Sequence, residues 1–215
     1  MTRNNRLKRM DKMSDVITTK RLIAQSLKEL SAEKPFDKIS VGDIAARSNV
    51  NRQTFYYHFQ DKYDLLKWIY REDYFIPHMT DLSMDNWDEC LAEFLATIRE
   101  EKVFCVNTIK HTQQEMEELF LRDTESVFHA AIEYLRQQSR ANEQTLQSVN
   151  MEERRFIARF FAYGVCGMLI EWIENGMKEE PKVIATRMRG ILEICKQLAY
   201  KQMLTEQGED PDKNV

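Results

Sequence analysis

Between Arg52 and His58 the chain reads RQTFYYH: an arginine, a glutamine, a threonine, two tyrosines and a histidine around one phenylalanine, with no acid. These are side chains that read and grip nucleic acid. A guanidinium donates two hydrogen bonds to guanine O6 and N7, and a carboxamide exchanges two with adenine N6 and N7. Hydroxyls and cations hold phosphates and so set register. The acid-free run extends from Arg47 to Gln60, and a donor-rich face of this kind suits a DNA major groove.

Such a face needs a rigid mount, and the flanking residues describe one. In Ser40–Lys62, SVGDIAARSNVNRQTFYYHFQDK, Ser40 and Asp43 form a serine cap reciprocated by an acid at the start of a short helix. Ile44 and Ala45 supply its buried face, with Ala45 small where a second helix crosses. Asn49 falls where a tight turn needs positive φ, which asparagine tolerates best after glycine. Val50 anchors the turn, Asn51 caps the next helix, and Phe55 faces back onto Ile44 and Ala45. Val41 to Gln60 therefore reads as a helix-turn-helix. A supporting helix over 15–33 is expected from Ile17, Leu22, Ile23, Leu27 and Leu30, closed by Pro35, with Phe36 and Ile39 leading into the motif and Phe59 beneath it. A connecting helix starts at Asp61, carries Leu65, Leu66, Ile69 and Tyr70 on one side and ends before Pro77. Lys62 lies in its first turn, where free N–H groups and the helix dipole favour a phosphate.

The charge distribution agrees. The 215 residues carry a net charge of −4, but residues 1–60 hold 12 Lys and Arg against 6 Asp and Glu, and the remainder 19 against 29. Polyanion contact therefore belongs at the N-terminal end. Residues 1–14 are polar and basic and are expected to form a disordered tail whose Arg3, Arg6, Lys8, Arg9 and Lys12 could reach DNA. Cys90, Cys105, Cys166 and Cys195 have no metal-ligand spacing, so no metal is expected. His58, His78, His111 and His129 stand alone, and His111 with Glu115 is a spacing too common to mark a site; no nucleophile motif or phosphate loop suggests an enzyme or a cofactor. No apolar leader and no membrane-spanning run is expected, which points to the cytoplasm.

The remainder reads as an all-α body, with helices expected at 84–100, 102–111, 114–140, 151–175 and 181–204 and a polar tail over 206–215. Asn150 and Glu153 make a capping box, Gly176 a helix stop, and Pro181 suits a first turn. The segment 156–173, FIARFFAYGVCGMLIEWI, is apolar nearly all round and needs cover on more than one side. A second copy of the chain is the expected cover, with Phe160, Gly164, Gly167, Met168, Ile191 and Leu198 in a four-helix seam. An effector pocket, if present, should draw on Trp87, Phe94, Phe104, Phe120, Phe128, Phe161 and Trp172, which a plain core would use equally well. The expected division is 1–14 tail, 15–61 DNA-binding domain, 62–76 connecting helix, 77–205 effector and dimerisation domain, and 206–215 tail.

The run Thr54–Leu66, TFYYHFQDKYDLL, resembles the signature that follows the recognition helix in TetR-type (TetR/AcrR) transcriptional regulators. With Ile39–Ala45 and the first helix, the resemblance covers about residues 16–75. It implies an N-terminal three-helix DNA-binding domain and a helical C-terminal domain that binds an effector and dimerises through its last two long helices. By position, Arg52 and Gln53 would face base edges and Tyr57 the groove, while Ser40, Thr54, Tyr56, His58 and Lys62 would hold phosphates. Tyr56, Tyr57 and His58 also fit a packing role. Asn49 replaces the glycine common at that turn. The wording ISVGDI…RQTFYYHFQDKYDLLKWI is similar to the branch containing activators of dihydroxyacetone-kinase operons, where the partner sensed can be another protein. The implied partners are double-stranded DNA, a second copy of the chain, and a small-molecule or protein effector.

Overall fold

The computed structural model describes residues 3–80, 82–83, 85–138 and 150–206. Among them every regular element is helical: α1 (Arg3–Glu33), a 3-10 turn (Phe36–Lys38), α2 (Val41–Arg47), α3 (Arg52–His58), α4 (Lys62–Ile69), a π-helical turn (Tyr70–Phe75), α5 (Ile76–Met79), α6 (Trp87–Glu100), α7 (Lys102–Gln138), α8 (Met151–Glu174) and α9 (Pro181–Glu206). The chain divides into two compact units, one of residues 1–77 with 98–116, the other of 78–97 with 117–215.

In the first unit α1 buries Ile23, Leu27 and Leu30, spaced four and three apart, with Phe36, Ile39, Ile44, Ala45, Phe55 and Phe59. Ile17 and Leu22 lie out of phase with that stripe and are exposed, contrary to the periodicity first read into this helix. The backbone of α1 is helical from Arg3, ahead of the start at Asp15 that the apolar spacing predicts. No proline or glycine interrupts that stretch, and Arg, Lys, Leu and Met favour helix. Residues 207–215 of the expected C-terminal tail lie outside the described residues.

The body expected over 77–205 is not one unit, because Ile98–Met116 belongs with the first. The reason is apolar. Ile98, Phe104, Cys105 and Ile109 are buried there, Tyr70 stacks on Phe104 at 5.9 Å, and the Tyr70 hydroxyl lies 2.8 Å from Thr108 Oγ1. Lys28 Nζ pairs with Asp73 at 3.0 Å and Glu101 at 3.2 Å, above the Tyr74 and Phe104 rings at 5.0 and 5.9 Å. The helices expected at 102–111 and 114–140 run together as α7, with a break at Thr112 (φ −144°, ψ 30°). Thr112 Oγ1 donates to the Thr108 carbonyl at 2.8 Å, a side-chain bond that bends helices.

In the second unit α8 buries Ala158, Ala162, Cys166, Leu169, Ile170 and Ile173, and α9 buries Ile184, Ala185 and Met188. Phe128 stacks on Phe161 at 5.6 Å, and Arg189 reaches both carboxylate oxygens of Asp88 at 2.9 Å. The Asn150–Glu153 capping box opens α8. At its end Gly176 (φ 76°) and Met177 (φ 54°) turn the chain, with Gly176 N–H on the Ile173 carbonyl at 3.0 Å and Met177 N–H on the Trp172 carbonyl at 2.8 Å. That is the paired closure of a Schellman turn. The expectation that no run is long and apolar enough to cross a membrane needs correction. α8 passes by length and composition, with mean hydropathy 1.5 over an 18-residue window of which 39% is buried. A helix with a buried apolar face and an exposed one meets the same criterion.

Candidate nucleic-acid interface

The motif is built by short-range bonds. Ser40 Oγ accepts the Asp43 N–H at 3.2 Å, and the Asp43 carboxylate accepts the Ser40 N–H and the Ser40 hydroxyl, both at 2.8 Å. Asp43 also pairs with Lys34 at 2.9 Å. The Ser40 N–H first, then Lys34 and the Ser40 hydroxyl, hold the Asp43 carboxyl well below its ordinary value. At the far end of α2, Asn49 takes φ 54°; its N–H bonds the Ala46 carbonyl at 3.3 Å, and Val50 N–H the Ala45 carbonyl at 3.0 Å. This too is a Schellman closure, with asparagine in the left-handed position. Asn51 Oδ1 then accepts the Thr54 N–H at 2.6 Å and starts α3.

One residue of α3, Phe55, is fully buried and locks the helix to the core. Around it Arg52 and Gln53 are exposed, and so are Tyr56 at 57% and Tyr57 at 71%. Neither tyrosine is a core residue, although Tyr56 meets the Phe55 ring edge-on at 5.6 Å and Tyr57 the His58 ring at 5.0 Å. Thr54 and His58 are half-buried at the margins. Burial, assisted by the charge of Lys20, pushes the His58 imidazole below its ordinary 6.5. Arg47 is turned away, its guanidinium 2.7 Å from Glu33 and 3.5 Å from Glu29.

Lys62 does not reach outward. Its ammonium donates to the carbonyls of Phe36 at 2.8 Å, Ile39 at 2.9 Å and Asp37 at 3.2 Å, and it sits 4.6 Å from the centre of the Phe36 ring. All three donors of the ammonium are therefore engaged by the backbone, and the expected phosphate contact at Lys62 is corrected to an internal clamp. Ser40 is corrected in part: it is exposed, yet its hydroxyl proton is held by Asp43.

Two residues escaped the sequence reading. Asn107 donates to the carbonyls of Ser31 at 2.6 Å and Lys34 at 2.9 Å and accepts the Phe36 N–H at 3.0 Å, which closes the open end of α1 and the turn that follows. Lys20 lies over the Phe59 and Trp68 rings at 5.2 and 5.6 Å, bringing a cation beside the end of α3. Neither belongs to a local motif. Only their three-dimensional neighbours reveal them.

The aromatic set suggested for an effector pocket is divided between the two units. Phe104 belongs to the core of the first unit. In the second unit Phe94 and Phe120 are buried, Phe128 and Phe161 stack on each other, Trp172 donates its indole N–H to the Glu179 carbonyl at 3.0 Å, and Trp87 is half-buried. A groove of about 460 Å³ in the second unit is lined by Met79, Leu82, Ser83, Ser126, Val127, Ala130, Ala131 and Tyr134. Of the expected seam residues, Phe160 (66%), Met168 and Ile191 are exposed, as are Gly164 and Gly167; the Leu198 side chain lies outside the described residues. Phe156 (73%), Tyr163, Val183 and Ile194 extend the exposed apolar surface of α8 and α9. His111 Nδ1 is 3.7 Å from Asp37 rather than paired with Glu115.

Two family models match the chain: residues 23–69 fit that of bacterial regulatory proteins of the tetR family, and residues 85–193 that of a transcriptional regulator C-terminal region of TetR type. The HTH-type dhaKLM operon transcriptional activator DhaS of Lactococcus lactis subsp. lactis (strain IL1403) is 29% identical over 169 residues, 76% of this chain and 84% of its own length. A solved structure described as dihydroxyacetone kinase operon activator DhaS superposes with a TM-score of 0.63 at 26% identity, covering 83% of this chain and 96% of its own.

Proposed function

Since the chain belongs to the TetR family of bacterial transcriptional regulators, we propose that it acts as a homodimer on a palindromic operator and is switched by an effector acting on its second unit. The carrying observation is α3, a helix pinned by one buried phenylalanine while Arg52, Gln53, Tyr56 and Tyr57 stand in solvent. Arg52 and Gln53 read base edges, Tyr57 packs in the groove, and Thr54, Tyr56, His58 and the exposed Ser40 border the phosphates.

Two such helices enter successive major grooves of a palindrome when about 34–36 Å apart, which calls for a second copy. The exposed apolar surface of α8 and α9 suits that copy. A Cβ at Gly164, Gly167 or Gly190 would meet nothing within 4 Å, so within one chain these glycines only cost helix stability, about 0.5–1 kcal/mol each. A partner helix approaching closely gives them a purpose. The effector then favours one spacing of the recognition helices over another, a population shift carried by α4 and its π-helical turn.

A second reading of the effector, a protein co-regulator, draws on the groove beside Tyr134, whose lining is mostly apolar and suits burial against an apolar partner surface. The relatives named DhaS activate a dihydroxyacetone kinase operon, and activation of such an operon is the role we propose for this cytoplasmic regulator. Selection of bound sequences from random and genomic DNA tests the reading. A palindrome upstream of a kinase operon supports it, whereas a pool without an enriched sequence rejects DNA reading by α3.

A further inference from the structure

Gly42 is the second residue of α2, directly behind the Ser40 cap. A Cβ built on it would collide with the Arg52 guanidinium: Nη2 first, with Cζ at 3.1 Å and Nε at 3.2 Å. The guanidinium of the first α3 residue therefore lies against the backbone of α2, where a Cβ at position 42 would make this flexible side chain shift. No left-handed backbone conformation requires glycine there, since Gly176 holds the positive φ among the described glycines. Alanine would be the better helix former. Arg52 also differs from Arg47: Glu29 and Glu33 hold Arg47, whereas no carboxylate pairs with Arg52 among the described residues, so its seat is made by shape.

We propose that Gly42 is a specificity-positioning residue for operator recognition, its missing side chain seating the Arg52 guanidinium and fixing the direction from which Arg52 approaches a base. This rests on the reading of Arg52 as a base contact. Bidentate recognition of guanine needs the guanidinium plane set within a narrow range of angles. A long arginine without a seat must order its rotamers at the moment of binding, which weakens the contact. Any side chain at position 42 pushes the guanidinium off its seat and returns that freedom.

Full-length Gly42→Ala, Arg52→Ala and the double variant, compared by thermal unfolding and by binding to the selected operator and its single-base variants, test the proposal. Gly42→Ala should melt at or above the parent temperature, yet bind the operator about tenfold more weakly and lose preference at the base pair that Arg52→Ala also relaxes. The double variant should bind like Arg52→Ala alone, because the glycine acts through the arginine. A Gly42→Ala variant with parental affinity and base preference, beside an Arg52→Ala variant that has lost both, overturns the seat. So does an added loss from Gly42→Ala in the Arg52→Ala background, which would mean that position 42 meets DNA itself. If Arg52→Ala keeps the parental preference, the base-contact reading fails, and the seat's role in recognition fails with it.

Discussion

Replacing Lys62 by methionine keeps most of the side chain's apolar stem and removes the ammonium. Three bonds disappear with it, to the carbonyls of Phe36, Ile39 and Asp37 at 2.8, 2.9 and 3.2 Å. The Phe36 and Ile39 carbonyls are partly buried and lose a charged donor; the Asp37 carbonyl is exposed, and water replaces its bond. A hydrogen bond to a charged group contributes about 1.5–3 kcal/mol net, and an abandoned buried acceptor costs about 1–3 kcal/mol. The site is half-buried, so the low end applies, and the Lys62→Met variant should lose roughly 2–3 kcal/mol, or about 5–10 °C in melting temperature. The assay pairs thermal unfolding with operator affinity measured across salt concentrations. A phosphate contact contributes about 0.9 to the salt slope, so a Lys62 on each half of the operator would flatten it by roughly 1.8 when lost. The clamp requires the opposite pattern: a lower melting temperature with an unchanged slope among folded molecules. An unaltered melting temperature with a flatter slope would refute the clamp and restore Lys62 to the phosphates.

Gln53→Ala should weaken operator binding by about 1–3 kcal/mol and relax base preference at one position per half-site; equal affinity for operator and single-base variants, before and after, would count against it. Gly167→Arg places a charge in the proposed seam and should weaken self-association by at least about a hundredfold, so a folded dimer in sedimentation at low concentration would remove α8 from the interface. Asp43 titrates below its ordinary 3.8 because of the Ser40 N–H, Lys34 and the Ser40 hydroxyl. A depressed native pKa contributes stability that is fully present above 3.8 and is lost as pH falls through and below it. Asp43→Asn should therefore flatten the acid limb of the melting-temperature profile, and parallel limbs in both proteins would contradict the capping-box assignment.

The features that were legible in advance are those that close within a few residues. Ser40 with Asp43, Asn51 with Thr54, Asn49 at positive φ and Asn150 with Glu153 each act on backbone three or four positions away, so their chemistry is written in adjacent letters. Lys62 was misassigned because its partners are main-chain carbonyls 23 to 26 positions back, and every residue type carries such a carbonyl. A lysine in a first helical turn beside a DNA-reading helix looks the same whether it faces a phosphate or a turn. Asn107 was missed on the same ground. The aromatic residues of the body were ambiguous for a different reason: Phe128 and Phe161 satisfy each other, and burial selects the same residue types for a core as for a ligand cavity.

Asn107 carries one more consequence, for anyone who would exchange the DNA-reading head of this regulator for another. The stretch matched as the tetR-family N-terminal region ends at residue 69, and a graft cut there or at Pro77 appears complete by sequence. It would arrive without Ile98–Met116. The Ser31 and Lys34 carbonyls would then lose their donor and the Phe36 N–H its acceptor, and in the graft cut at Pro77 Tyr70 would face the space left by Phe104 and Thr108. The portable module is therefore discontinuous, and a working chimera has to carry the two segments together or rebuild the second.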